Sequence, residues 1–245
     1  DIDNTLLGGD KTALAALVDF LVKNRDEIGF GVATGRVFDA AHAVLKEYGI
    51  PTPDVMITGV GSQINYGKKM HFDKGWASHI AKDWKPDFMA RRLEEIGFIR
   101  KQAARNQTPH KLSYVMSPGK DRLAKVHHVL TKNRFAYTLI YSHDEYLDLL
   151  PNRASKGKAI RYISYKWGIP VKNFLVCGDS GNDEEMLKGD TCAVVVENHS
   201  PELEKLKSSK KVYFSGAEYA AGILDGIDHY QLFAPAVGRR QGQKR

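Results

Sequence analysis

The sequence predicts an α/β protein, a Rossmann-like parallel-sheet core with an inserted α+β domain, and three observations carry that prediction. Short apolar runs rich in Val, Ile and Phe alternate with stretches of helical periodicity. Each run ends in small or polar residues, as expected at the carboxyl edge of an open parallel sheet, where ligands bind. Between Pro86 and Pro151 the order changes to helix, strand, helix, strand, which suits a module set into the core, with the two prolines as hinges.

The expected core strands are Phe30–Ala33 before T-G-R, Val55–Thr58 before G-V-G, Phe174–Cys177 before G-D, Cys192–Val196 before E-N, and Val212–Phe214. Amphipathic spacing predicts helices over Thr12–Lys23, Phe38–Tyr48, Lys156–Trp167, Glu184–Leu187 and Tyr219–Phe233. Inside the insertion, helices are expected over Asp87–Ile96 and Lys120–Asn133, and strand over Lys111–Met116 and Tyr137–Leu150. The core is therefore assigned to residues 1–85 and 152–233, the insertion to 86–151, and a disordered basic tail to 234–245.

Of the 245 residues 42% are hydrophobic and 27% charged, a composition that excludes a disordered or fibrous chain. The net charge of +7 is concentrated in the tail, whose Arg239, Arg240, Lys244 and Arg245 face no acid; without them the excess is three. A nucleic-acid partner is not expected on that balance, and a modest basic excess suits an anionic, phosphorylated substrate. Cys177 and Cys192 lie in apolar runs and read as reduced core residues. No apolar stretch of membrane-span length and no signal-peptide pattern is present, so no membrane partner and a cytoplasmic location are expected.

The chemistry is carried by two acidic clusters. D-I-D-N-T opens the chain, and G-D-S-G-N-D at 178–183 directly follows an apolar run, so both fall at the same edge of the sheet. Carboxylates converging there repel one another unless a cation is present, and Mg2+ is the hard ion that oxygen ligands select. Asp1 and Asp179 are expected as side-chain ligands, Asp3 as a ligand through its carbonyl, and Asp183 as an outer carboxylate orienting metal waters. An aspartate can attack phosphorus to form an aspartyl-phosphate, so Asp1 is read as nucleophile and Asp3 as general acid and base. Thr34, Lys156 and Asn182 are the candidates for binding the phosphoryl oxygens. Taken singly, Thr34 also reads as a helix cap and Lys156 as a solvated lysine. S-K-G-K at 155–158 lacks the leading glycine and strand of a nucleotide-binding loop, and the histidines show no zinc spacing.

The set D-I-D-N-T, A-T-G-R at 33–36, Lys156 and G-D-S-G-N-D resembles, in order and spacing, the haloacid dehalogenase-like phosphatase superfamily, over residues 1 to about 233. The position of the insertion resembles the subgroup with an α+β cap. More narrowly, G-V-G-S-Q-I at 59–64, K-L-S-Y at 111–114 and D-L-L-P-N-R-A-S-K-G at 148–157 resemble the sucrose-phosphate phosphatases. That resemblance implies a sugar phosphate held between cap and core, with Gly35, Arg36, Lys111, Tyr114 and Asp148 as contacts. It also implies hydrolysis of sucrose 6-phosphate, with mannosylfructose phosphate as the alternative ester. The same domain occurs in bacterial sucrose-phosphate synthases, and this chain opens on Asp1 itself. It therefore reads as a fragment whose leading strand, and a glycosyltransferase domain that it serves either as a phosphatase or as a non-catalytic accessory, stand N-terminal to it.

Overall fold

The computed structural model describes residues 1–232, so Phe233 and the tail expected at 234–245 lie outside the described residues. The first part of the chain forms α1 (Lys11–Lys23), β1 (Gly31–Ala33), α2 (Phe38–Glu47), β2 (Val55–Thr58), β3 (Gln63–Tyr66), β4 (His71–Phe72) and α3 (Lys74–Ile80). The insertion follows as α4 (Pro86–Glu94), β5 (Ile99–Lys101), β6 (Leu112–Met116), α5 (Arg122–Lys132), β7 (Thr138–Ser142) and β8 (Tyr146–Leu150). The chain then returns through α6 (Lys156–Trp167), β9 (Leu175–Gly178), α7 (Glu184–Leu187), β10 (Cys192–Val195), β11 (Val212–Phe214) and α8 (Tyr219–His229). Among the described residues no helix is long and apolar enough to cross a membrane.

The core holds two sheets. In one the order is β1-β2-β3-β4, with β1 and β2 parallel and β3 and β4 antiparallel additions; in the other β11-β10-β9 are all parallel. Residues Asp1–Thr5 lie between the carboxyl ends of β1 and β9. The Asp1 nitrogen donates to the Cys177 carbonyl at 2.8 Å, and the Asp3 carboxylate reaches Arg36 just beyond β1. Ile2, between the two aspartates, is fully buried among Val32, Met56, Ala41 and Leu45. That apolar anchor points the flanking acids away from the core, because successive side chains of extended chain alternate sides.

The insertion builds a separate antiparallel sheet, β5-β6-β8-β7. Strict alternation sorts its faces: Leu112, Tyr114, Met116, Leu147 and Leu149 meet Met89, Leu93, Val126 and Leu130 of α4 and α5 in one apolar cluster. On the opposite face Ile140 and Leu150 pack into the core cluster. Each such buried Leu or Ile contributes about 1.5–3 kcal/mol, so the insertion holds its own core and also adheres to the main one.

Several sequence expectations change, and α3 and β5 were not expected. Tyr137–Leu150 is two strands, because His143 and Asp144 both take positive φ (53° and 51°) and turn the chain back on itself. The last helix ends at His229, short of the expected Phe233. The β1–β4 sheet is mixed through β3 and β4, which were not expected; β4 spans two residues and carries no periodicity to read.

Tyr114 is 1% exposed and its hydroxyl has no partner among the described residues; burial pushes its pKa up to about 12. A hydroxyl buried unbonded costs about 1–3 kcal/mol. Tyr114→Phe is therefore expected to raise the unfolding free energy by about 1 kcal/mol in a urea titration. A decrease instead would mean that the hydroxyl is bonded in solution.

Candidate active site

Four chain segments meet at the carboxyl ends of β1 and β9. The loop after β9 folds tightly: the Asp183 Oδ2 accepts from the amides of Asp179 (3.1 Å) and Ser180 (3.2 Å), which fixes that carboxylate over the strand end. Gly178 permits this, since a Cβ there would fall 2.5 Å from the Asp183 Cβ. Asp179 in turn accepts from the Thr5 hydroxyl at 2.9 Å, tying the second acidic cluster to the first. Lys156 begins α6, behind Ser155, whose side chain caps the Lys158 amide. Its fully buried ammonium bridges Asp1 Oδ1 at 2.8 Å and Asp183 Oδ1 at 2.6 Å. Thr34 is also fully buried, and its hydroxyl accepts from the Arg36 amide at 3.1 Å.

Oxygens of Asp1, Asp179 and Asp183 lie within 4.8 Å of one another. The buried Lys156 ammonium pairs with two of these three carboxylates, Asp1 and Asp183. Three hard oxygen donors with surplus negative charge fit a divalent cation. Both Asp183 oxygens are engaged, by Lys156 and by the two amides, whereas Lys156 takes only one oxygen of Asp1.

Asp3 makes a bidentate pair with Arg36, at 2.8 and 2.7 Å, so the guanidinium expected on the sugar is engaged with the expected general acid. Lys111 crosses from the insertion to the core, its ammonium 3.3 Å from the Gly35 carbonyl and 3.6 Å from Asp148. Asp148 also accepts from the Ser113 hydroxyl at 2.6 Å. Asn182 sits over Gly35, where a Cβ would stand 4.0 Å from its Nδ2, and its Oδ1 is buried without a partner among the described residues.

Tyr114 is not brought to this site. It shares its strand face with Leu112 and Met116 and lies inside the apolar cluster of the insertion. The alternation in L-S-Y-V-M carries that information, because Ser113 and not Tyr114 shares a face with Lys111. One residue at the site was not expected. His143, on the turn between β7 and β8, brings Nε2 to 3.8 Å from Asp179 Oδ2, and this carboxylate raises the imidazole pKa above its ordinary value. Its only sequence signal is the His-Asp turn, which says nothing of where the hairpin tip points.

The family model for sucrose-6F-phosphate phosphohydrolase matches residues 1–231. Sucrose-phosphatase 1 of Nicotiana tabacum is 33% identical over 213 residues, covering 82% of this chain and 50% of the tobacco protein, so the chain spans about half the length of such plant relatives. The mannosylfructose-phosphate phosphatase of Agrobacterium fabrum is 29% identical and is covered over 95% of both chains. The structure of the sucrose-phosphatase of Synechocystis sp. PCC6803 in complex with sucrose and phosphate superposes with a TM-score of 0.89 at 29% identity, over 95% of this chain and 96% of that one. With the model match running from the acid pair at Asp1 and Asp3 through α8, the chain belongs to the sucrose-6F-phosphate phosphohydrolase family.

Proposed function

We propose that the protein is a magnesium-dependent phosphatase that hydrolyses sucrose 6-phosphate to sucrose and phosphate. The observation that carries this reading is the buried Lys156 ammonium between Asp1 and Asp183, with Asp179 beside them, in a chain of this family. Asp1 attacks phosphorus in line, the bond to the sugar oxygen breaks, and Asp3 delivers the proton to that oxygen. Asp3, now a carboxylate, takes a proton from the water that attacks the aspartyl-phosphate, releasing phosphate and restoring Asp1. Asp1, Asp179, the Asp3 carbonyl and, behind them, Asp183 would hold Mg2+, which supplies positive charge for the phosphoryl oxygens. Thr34, Gly35, Lys156 and Asn182 complete that cradle with hydrogen bonds.

Arg36 orients Asp3 and borders the sugar, and Lys111 and Asp148 present polar atoms from residues 86–151, which act as the cap over the core at 1–85 and 152–233. Closing the cap excludes water from the ester. A second reading has its own support: the Agrobacterium mannosylfructose-phosphate phosphatase is matched over 95% of its length, so that disaccharide phosphate is the alternative substrate. The relatives named above are described as phosphatases, which favours turnover over an accessory role beside a glycosyltransferase. Two unbridged cysteines, one buried, support a reducing, cytoplasmic location.

Phosphate release from a panel of sugar phosphates tests the substrate. Sucrose 6-phosphate with Mg2+ is expected to lead, EDTA to stop turnover, and Asp1→Asn to reduce it by at least about a thousandfold. Release from no disaccharide phosphate would sink the proposal. Mg2+ is further expected to raise the thermal midpoint of the protein, by binding the folded state, and to leave that of Asp179→Asn unmoved. Lys156→Met leaves Asp1 and Asp183 buried without their counter-ion and is expected to cost about 3–5 kcal/mol of stability by denaturant titration.

A further inference from the structure

Asn198, in the E-N that follows the Cys192–Val196 run, has no role in the site described above, yet its amide joins backbone groups far apart in the chain. Nδ2 donates to the Asn4 carbonyl at 2.7 Å, and Oδ1 accepts from the Tyr219 amide at 2.9 Å. Asn4 directly follows Asp3 and has φ 59°, a left-handed conformation that needs local support in a residue other than glycine. Beyond it the chain closes a tight turn, with the amides of Leu6 and Leu7 both donating to the Ile2 carbonyl at 3.1 and 2.8 Å. The Tyr219 ring lies on the next two residues: a Cβ on Gly8 or Gly9 would fall 2.4 or 2.3 Å from it. The loop that carries Asp3 is thus held from the far side by Asn198 and Tyr219.

Asp3 needs that support. Its side chain is 47% exposed, and its partner Arg36, at 37%, is itself a long and half-exposed group. That pair holds the carboxylate end of Asp3 and leaves its backbone to other contacts. A general acid must stand within hydrogen-bond reach of the departing oxygen, and small displacements of catalytic geometry cost large factors in rate.

We propose that Asn198 is a positioning residue for proton delivery, fixing the backbone of Asp3 by holding the Asn4 carbonyl. The inference rests on the phosphatase reading given above. The plainer role for Asn198 is to satisfy the Tyr219 amide at the start of α8, and one substitution separates the two. Asn198→Asp keeps the acceptor for Tyr219 and sets a carboxylate oxygen against the Asn4 carbonyl in place of a donor. Asn198→Ala removes both bonds.

The test compares kcat/KM for sucrose 6-phosphate and p-nitrophenyl phosphate, with thermal midpoints measured alongside. The sugar oxygen must be protonated as it leaves, whereas nitrophenolate departs without a proton. Both variants are expected to lose about tenfold or more on the sugar ester, and at least about threefold less than that on the nitrophenyl ester, which makes no use of a general acid and registers only a displaced Asp3 carbonyl at the metal. Equal losses on the two esters, full activity of Asn198→Asp on the sugar ester, or failure of both variants to fold would overturn the proposal. A wild-type protein inactive on both esters would instead overturn the phosphatase reading beneath it.

Discussion

The structure depends on one buried cation, the Lys156 ammonium that bridges Asp1 and Asp183 with no access to solvent. Carboxylates from opposite ends of the chain approach each other there only because that charge stands between them. Its depth is set by two glycines. A Cβ on Gly61 would fall 2.2 Å from the Ser155 backbone, and one on Gly157 would fall 2.6 Å from that of Glu185, so any larger residue at either place pushes the start of α6 outward. Moving the helix moves Lys156, and moving Lys156 exposes the acids to their mutual repulsion. Close backbone packing, not side-chain reach, therefore sets the geometry of the acidic cluster.

The insertion and the core are joined through a few polar groups beside the acidic cluster. Lys111 links the cap to the Gly35 carbonyl, the hydroxyls of Ser62 and Thr108 meet at 3.4 Å, and His143 reaches toward Asp179. Under them, Gly59 and Val60 donate to the carbonyls of Arg36 and Thr34 at 2.7 and 2.9 Å. Val60 makes its bond from a left-handed conformation, φ 58°, although it is β-branched and fully buried. Such a residue costs on the order of 1–3 kcal/mol and persists only where its surroundings hold it. Here Val60 holds the loop on which Thr34 and Gly35 sit, and that loop is the one the cap grips. Separation of the insertion from the core would break the Lys111 bond to Gly35, so the position of the insertion is tied to that loop.

Much of the architecture was legible in the residues. Val55–Thr58, Val212–Phe214, Lys156–Trp167 and Glu184–Leu187 stand where the short apolar runs and the helical spacing put them. The β7–β8 turn was not legible as a break, since His-Asp lacks the glycine that usually marks two consecutive positive-φ residues. Tyr114 was assigned to the sugar site by resemblance, although its alternation with Leu112 and Met116 places it in the cap core.

What the sequence by itself determined is the chemistry of the site. The two acid clusters, the lysine and the carboxyl-edge loops follow from residue type, short-range spacing and the resemblance those motifs carry. What only the tertiary structure decided is who faces whom across long chain separations. The Asp3–Arg36 pair, the reach of His143 to Asp179 and the Asn198 bridge from Asn4 to Tyr219 each depend on how helices, sheets and hairpin tip pack. No local pattern encodes such distances, because they are set by close contact between backbones that the chain brings together only when folded.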